Sequence, residues 1–188
     1  MKGRIIFLTE EESMANTLRE VLPRFFPDLR ENEHWLIIPH QGKSDLEASY
    51  PRKMRGWREP GVKFVILRDN DGADCQALKA RLVATVPAET SPFLVRIVCQ
   101  ELESWLLGDI EAVAAAYPSA AQHARFNSLS RLDPDSLTNA SQLLKELIGT
   151  GAKRERATKI ARHFRPDKNA SKSFEVFISG VDRLQSDP

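Results

Sequence analysis

The fold is indicated most clearly by the stretch Phe64-Val65-Ile66-Leu67-Arg68-Asp69-Asn70-Asp71, an apolar run that ends abruptly in charged residues. Three other short runs are equally rich in Ile, Val, Leu or Phe, and their apolar residues are nearly continuous rather than alternating. That pattern is typical of parallel strands covered on both faces. We therefore predict four buried strands, over residues 4–9, 35–39, 62–67 and 94–99.

Helical patterns separate these strands, which predicts right-handed βαβ crossovers and a mostly parallel sheet. Ser or Asp at a helix start accepts hydrogen bonds from free backbone N–H groups. The N-caps expected on this basis are Ser13, Ser44, Asp74 and, within a helical stretch over residues 102–117, Asp109. Pro51 is expected to break or restart the second helix, because its ring cannot donate a backbone hydrogen bond.

The last third of the chain has a different pattern. No strand-like run follows residue 118, and Ala157, Ile160, Ala161 and Phe164 have the i, i+3, i+4, i+7 spacing of an amphipathic helix. A second such pattern extends from Phe174 to Leu184. We predict a Rossmann-like α/β core over residues 1–117 and a C-terminal helical extension over 118–188 that packs on it.

Composition excludes several classes. The chain has 188 residues, 41% of them hydrophobic, and a formal net charge of +1, so total charge does not indicate a partner. No apolar run approaches the roughly 20 residues of a membrane span, and a cytoplasmic, membrane-free protein is expected. Cys75 and Cys99 are the two cysteines, expected to be buried core thiols, since no pattern for structural zinc is present.

Acidic residues follow three of the predicted strands: Glu10, Glu11 and Glu12 the first, Asp69 and Asp71 the third, and Glu101 and Glu103 the fourth. Parallel strands bring their carboxyl ends to one edge of a sheet, so these acids are expected to converge. Carboxylates 4 Å apart repel by about 1–4 kcal/mol and favour a bound cation. Oxygen ligands without His or Cys suit Mg²⁺ or Mn²⁺.

Because alternate residues leaving a strand point the same way, the i, i+2 spacing of Asp69 and Asp71 is expected to direct both side chains to one ion. The alternative is that these acids are helix caps and solvated strand ends, since Asp and Glu are common before helices. Convergence of three acidic segments at one rim favours the metal site over that alternative.

Two of these stretches resemble a known domain. Ile5-Ile6-Phe7-Leu8-Thr9-Glu10 and the stretch ending at Asp71 resemble the Toprim domain, a compact α/β fold with a Glu after its first strand and Asp-x-Asp after a later one. More narrowly, the chain resembles the Toprim-like bacterial proteins of domain of unknown function 4276. The blocks that carry this likeness are residues 8–14, 42–46, 68–75, 100–105 and 171–174.

The resemblance implies roles for individual residues. Glu10 would be the Toprim glutamate, a metal ligand and general base, and Asp69 and Asp71 would hold Mg²⁺ or Mn²⁺. Asp74, Glu101 and Glu103 would serve a second metal or support the ligands. Toprim relatives include topoisomerases, primases and the overcoming-lysogenisation-defect nucleases, which act on phosphodiester bonds. One departure is Glu11, which stands where the Toprim pattern commonly has Gly.

Basic residues supply candidate contacts to nucleic acid. Eight Lys or Arg fall between Gly151 and Lys172, and the residues expected to contact the backbone are Lys153, Arg156, Lys159, Arg162 and Lys172. Lys43 is expected to steady charge on a cleaved phosphate. Gly42-Lys43-Ser44 resembles the end of a Walker A loop, but the position of its first Gly holds Ile37. The alternative for the basic run is a solvated helix face.

These observations lead to one principal hypothesis, a metal-dependent nuclease or phosphodiesterase of the Toprim class that acts on DNA or RNA. The resemblance also implies an ATPase partner subunit and a role in defence against phage or mobile elements. The alternatives are a non-catalytic Toprim-fold adaptor or regulatory subunit, and a phosphatase for small nucleotides. The sequence leaves homo-oligomerisation open.

Overall fold

The computed structural model describes residues 3–88 and 91–186. Within these residues, four parallel strands form one sheet in the order β2-β1-β3-β4. The strands are β1 (Ile5–Thr9), β2 (Trp35–Pro39), β3 (Lys63–Asp69) and β4 (Phe93–Val98). The predicted fold class, a parallel α/β sheet flanked by helices, is confirmed.

Helices connect the strands and cover the sheet. They are α1 (Glu12–Phe25), α2 (Lys43–Gly56), α3 (Cys75–Ala84), α4 (Leu102–Gly108), α5 (Ile110–Ala116), α6 (Phe126–Leu129), α7 (Ala140–Ile148), α8 (Lys153–Ala161) and α9 (Lys172–Ser186). Short 3₁₀ turns lie at Pro118–Gln122 and Pro134–Ser136. None of the helices in the described part of the chain has both the length and the apolar character needed to cross a bilayer.

The two sheet faces bury different side chains, as continuous apolar strands require. Phe7, Val65 and Leu67 belong to the larger cluster, together with the helices α1, α4, α5 and α7 to α9. Ile6 and Ile66, one residue away along each strand, belong to the smaller cluster under α2 and α3. Because successive side chains alternate between faces, each strand contributes to both cores.

Three local expectations are wrong. The N-caps of α1 and α2 are Glu11 and Gly42, so Ser13 and Ser44 lie inside the first turn instead of capping it. The helix α2 continues through Pro51 to Gly56. Its residues Leu46, Tyr50 and Met54 are buried against the sheet, and this packing offsets the lost backbone hydrogen bond.

Two caps agree with the prediction. Asp74 Oδ1 accepts a hydrogen bond from the Ala77 N–H at 2.7 Å, and Asp109 Oδ1 accepts one from the Ala112 N–H at 3.1 Å. Asp109 therefore divides residues 102–117 into α4 and α5, as expected.

The C-terminal helices share the larger core with the sheet. Phe174 and Phe177 of α9 pack around Trp105 of α4, with ring centroids 5.1 Å from the indole in each case. Ala157 and Ile160 of α8 are fully buried in the same cluster. The division at residue 117 stays a prediction.

Candidate functional site

The carboxyl ends of three neighbouring strands meet at one edge of the sheet. Glu10 follows β1, and its backbone N–H donates to the Leu67 carbonyl of β3 at 3.1 Å. The Asn70 N–H, directly after β3, donates to the Val98 carbonyl of β4 at 3.0 Å. The acidic segments around Glu10, Asp69 and Glu101 are therefore adjacent in space.

Asp69 is the buried centre of this region. It is the last residue of β3 and only 6% exposed. Its Oδ1 atom is buried and accepts no hydrogen bond in the described structure. Burial raises the pKa of the Asp69 carboxyl well above its usual value; Lys153 opposes the shift, and the negative charges of Glu10, Glu11 and Glu103 add to it.

Lys153, predicted to lie on a nucleic-acid surface, instead extends into this acidic region from the start of α8. Its Nζ atom lies 2.5 Å from Glu11 Oε1 and 3.6 Å from Glu103 Oε2. Burial favours the neutral amine, but Glu103, Glu11 and Asp69 outweigh it and raise the pKa of Lys153. We call Asp69, Glu103, Glu11 and Lys153 the inner cluster.

A second set of charges lies around Arg68, whose side chain is only 7% exposed. The Arg68 guanidinium lies 3.0 Å from Glu47 Oε1 and 3.5 Å from Asp71 Oδ2. Lys43 Nζ lies 3.0 Å from the same Asp71 oxygen. We call Arg68, Glu47, Asp71 and Lys43 the outer cluster.

Asp69 and Asp71 thus have different cationic partners, because the strand does not stay extended beyond Asp69. Asp71 has a φ of 50°, in the left-handed region that non-glycine residues seldom adopt. Gln100, before Glu101, is also left-handed, with a φ of 65°. Each such residue costs about 1–3 kcal/mol, and strain of this kind gathers at functional loops.

Glu10 joins the two clusters. Its Oε2 atom accepts the Asp69 backbone N–H at 3.1 Å and lies 3.8 Å from Arg68 Nε. Burial raises the pKa of the Glu10 carboxyl; Asp71 and Glu11 reinforce the shift, while the Asp69 N–H and Arg68 oppose it. Raising the pKa of a carboxyl toward the working pH favours its use in proton transfer.

The remaining predicted acids stand at helix starts. Glu101 holds the N-cap position of α4, and burial followed by repulsion from Glu103 raises its pKa. The carboxylate of Asp74 is engaged as the cap of α3.

The donor chemistry of the inner cluster fits a hard divalent cation. Two buried carboxylate oxygens, Asp69 Oδ1 and Glu103 Oε2, accept no hydrogen bond from any described residue. Oxygen donors of this kind suit Mg²⁺ or Mn²⁺. Across residues 3–88 and 91–186, however, no three His, Cys, Asp or Glu side chains are close enough to hold one ion. A metal would compete with the ammonium of Lys153 for the same carboxylates.

An open groove lies beside the inner cluster. A cavity of about 470 Å³ is lined by Glu11, His40, Gly42, Lys153 and Arg154, among others. Arg154 also borders a second cavity of about 590 Å³, which Lys159 and Arg162 of the basic stretch line as well. Arg154 is therefore common to the linings of both cavities.

The structure places the other predicted basic contacts differently. Arg156 is only 6% exposed, and its Nη1 atom donates to the Gly149 carbonyl at 3.5 Å. Lys172, at the start of α9, is exposed and pairs with Glu175 at 2.8 Å. Lys159 lies over the Tyr117 ring, 4.1 Å from its centroid.

His40, which lines the groove, has a structural role. Its Nδ1 atom lies 2.9 Å from the Thr9 carbonyl, and its Nε2 atom lies 3.1 Å from Lys53 Nζ. Burial lowers the pKa of His40. Nε2 therefore accepts from the lysine while Nδ1–H donates, which fits a neutral imidazole.

Four residues of the site were not recognised in these roles from the sequence: Arg68, Glu47, Glu11 and Lys153. An Arg at the end of a buried strand was a usable signal, because buried arginines require acidic partners. Lys153 lies four residues before Ala157 and seven before Ile160, on the same helix face as that apolar stripe. This spacing indicates a Lys directed toward the core instead of solvent.

Comparisons with known proteins agree with this architecture. The family model described as Domain of unknown function (DUF4276) matches residues 9–182. The C-terminal region of the Xanthomonas campestris pv. campestris OLD protein is similar in structure, with a TM-score of 0.52, 16% identity, and coverage of 98% of this chain and 97% of that one. The C-terminal region of the Burkholderia pseudomallei OLD protein is also similar in structure, with a TM-score of 0.52 and 18% identity. That match covers 96% of this chain and 99% of the other. No curated protein sequence matches significantly. At these identities the likeness shows a similar fold.

Proposed function

Since this chain belongs to the family described as domain of unknown function 4276, we propose that it is a metal-dependent nuclease or phosphodiesterase of the Toprim class acting on nucleic acid. The observation that carries the proposal is the arrangement around Asp69. A buried carboxylate with an unpartnered oxygen stands among acids from three loops, next to an open groove with basic residues.

Asp69, Glu10 and Glu103 would hold Mg²⁺ or Mn²⁺ once Lys153 moves away from Glu103 and the carboxylates close on the ion, with Asp71 the next candidate along the β3 loop. Such an ion, when bound, activates water and stabilises charge on phosphoryl oxygens. Glu101 and Asp74 are candidates for supporting a second ion. The raised pKa of Asp69 has burial as its main cause, and a divalent cation would remove the penalty on its ionised form.

The chain's own side chains would do the remaining chemistry. Glu10 Oε2 already accepts the Asp69 N–H, which leaves Oε1 to take a proton from the attacking water. The Lys153 ammonium, 37% exposed and held between Glu11 and Glu103, would balance negative charge on the phosphate as it is cleaved. Lys43, at the start of α2, would contact a neighbouring phosphate.

The second cavity, which lies along α8, would bind the phosphate backbone. Arg154, Lys159 and Arg162 line it and supply positive charge without base-specific groups. Such contacts recognise the backbone that DNA and RNA share. By the same family likeness, an ATPase partner subunit would control the activity.

The test combines calorimetry with a cleavage assay. Mn²⁺ is titrated into wild type and into the double variant Asp69→Ala plus Asp71→Ala, and the same proteins are incubated with labelled single- and double-stranded DNA and RNA. We expect Mn²⁺ binding and cleavage by wild type, and neither by the variant. The matched control is Asp167→Ala, which removes an exposed Asp outside the site. Wild type that neither binds Mn²⁺ nor cleaves would refute the proposal.

A second candidate is a non-catalytic adaptor that binds nucleic acid or a partner protein. The observation in its favour is that lysine and arginine side chains already neutralise the acids, with Lys153 on Glu11 and Glu103 and Lys43 on Asp71. Nucleic-acid binding that is unchanged by EDTA and by the double variant would favour the adaptor.

A further inference from the structure

The two cysteines of the chain are in contact at the edge of the candidate site. Cys75 Sγ and Cys99 Sγ lie 3.3 Å apart, although 24 residues separate them in sequence. Cys75 begins α3, four residues after Asp71, and Cys99 follows β4, two residues before Glu101. Both cysteines are half-buried, so the prediction that they are core thiols is wrong. The reason is that Cys75 begins α3 and Cys99 directly follows β4, both at the sheet rim.

Hydrogen bonds fix the position of both residues. Asn70 Nδ2 donates to Cys75 Sγ at 3.2 Å and to the Ala73 carbonyl at 2.8 Å, which closes the loop between Asp69 and Cys75. The Cys99 N–H donates to Ser173 Oγ at 3.3 Å, and the same hydroxyl accepts from Trp105 Nε1 at 2.7 Å. The thiols are thus held together by ordered segments on both sides.

We propose that Cys75 and Cys99 form a reversible disulfide that cross-links the two acidic loops, with a peroxide as the oxidant. One sulfur attacks hydrogen peroxide, which gives a sulfenic acid and releases water. The other sulfur attacks that sulfenic sulfur, the S–S bond forms, and a second water leaves. Two thiols and one peroxide thereby become one disulfide and two waters.

The geometry requires little rearrangement. A disulfide bond is about 2.05 Å long, so the sulfurs must approach by about 1.3 Å from their 3.3 Å separation. Rotation about the Cα–Cβ bonds of the two half-buried thiols would supply part of this movement. The chain has no other cysteine, so any intramolecular disulfide joins this pair.

The cross-link would couple the loop that carries Asp69 and Asp71 to the segment that carries Glu101 and Glu103. The Ala73 N–H donates to the Asn70 carbonyl at 2.9 Å within the first loop. This hydrogen bond opens less often when Cys75 is tied to β4, so the Ala73 amide hydrogen should exchange more slowly after oxidation. Formation of the disulfide between Cys75 and Cys99 does not depend on metal binding or on cleavage.

In the test, the purified protein is treated with hydrogen peroxide, and its free thiols are counted after denaturation. The expected count falls from two to zero, with a mass loss of two hydrogen atoms, and dithiothreitol restores it. The step from the sulfenic acid to the disulfide should be about tenfold or more faster in the native protein than in urea, because the fold holds the two sulfurs together. Hydrogen exchange at Ala73 is compared before and after oxidation.

Variants provide the controls. Cys75→Ser and Cys99→Ser each retain a single thiol and should show no intramolecular disulfide and no change in exchange at Ala73. Three results would overturn the proposal: both thiols of wild type persisting, their loss only to sulfinic acids or intermolecular dimers, or equal rates of the step from sulfenic acid to disulfide in native and denatured protein. Unchanged exchange at Ala73 in the oxidised protein would overturn the coupling between the loops.

Discussion

Replacing Lys153 by Met removes the cation of the inner cluster while keeping the length and apolar stem of the side chain. Glu103 then loses its partner, and among the described residues Lys153 is the one cation within 4 Å of it. Glu11 loses an ion pair of 2.5 Å. The variant therefore leaves carboxylates near Asp69 that repel one another without compensation.

The size of the effect follows from burial. Removing one partner of a buried ion pair costs about 3–5 kcal/mol, whereas exposed pairs contribute about 0–1 kcal/mol. The Glu103 side chain is 2% exposed but that of Lys153 is 37% exposed, so solvent screens part of the interaction. We expect a loss of about 2 kcal/mol in the free energy of unfolding, or about 4–8 °C in Tm for a chain of this size.

The pH dependence has a definite sign. The folded-state pKa of Lys153 is raised, so its contribution is fully present below the unfolded-state value of about 10.4 and is lost as pH rises through the folded-state value. The difference between wild type and Lys153→Met should therefore be constant between about pH 7 and 9.

Urea unfolding followed by circular dichroism, in EDTA, measures the change. The matched control is Lys168→Met, because Lys168 is exposed and, within the described part of the chain, forms an ion pair only with the neighbouring Asp167. This variant should stay within about 0.5 kcal/mol of wild type. Under the proposed function, Mn²⁺ should stabilise Lys153→Met more than wild type, since the ammonium no longer competes for the carboxylates. Equal stability of Lys153→Met and wild type in EDTA would show that the ion pairs of Lys153 with Glu11 and Glu103 do not stabilise the fold.

Three further substitutions test other contacts. Asp69→Asn should stabilise the metal-free fold by about 1–2 kcal/mol at neutral pH, because it removes a buried charge. The pKa of Asp69 is raised in the folded state, so this gain in stability should vanish below the unfolded-state pKa of about 4. Urea unfolding at about pH 4 and at about pH 7 measures the difference. Asp109→Ala should cost about 3 kcal/mol, because the buried carboxylate caps α5 and pairs with Arg165 at 2.9 Å; an unchanged Tm would contradict this. Gly180→Ala should cost about 1–3 kcal/mol, because the new Cβ would lie 2.7 Å from Arg96 Nη2, and a variant as stable as wild type in thermal unfolding would show that α9 can shift.

The strands could be predicted because burial on both faces leaves a continuous apolar run. The bounds of β2 agree with the prediction, but β3 extends two residues further, to Asp69. Arg68 and Asp69 pair with Ile97 and Val98 of β4, so the sheet continues into the charged residues. The hydrophobic pattern ends at Leu67 and cannot report backbone pairing beyond it.

The helix starts were predictable only where the side chain itself forms the cap, as at Asp74. At Gly42 the backbone has a φ of 97° and supplies the turn without a side-chain acceptor, so the nearby Ser44 was misleading. The convergence of the acidic residues could be predicted from the parallel strands, because such strands bring their carboxyl ends to one edge of the sheet. The position of Lys153 could not be predicted in this way. It reaches the site because α8 packs on α1, and it lies about 50 residues after Glu103 in the chain.

The convergence of acids from three loops on one divalent cation is tested most directly by anomalous diffraction from crystals soaked in Mn²⁺. We expect an anomalous peak within bonding distance of an Asp69 oxygen and of a second carboxylate from Glu10 or Glu103, with Lys153 displaced from Glu103. Ordered crystals without a peak there, and with Lys153 still paired to Glu11 and Glu103, would contradict it.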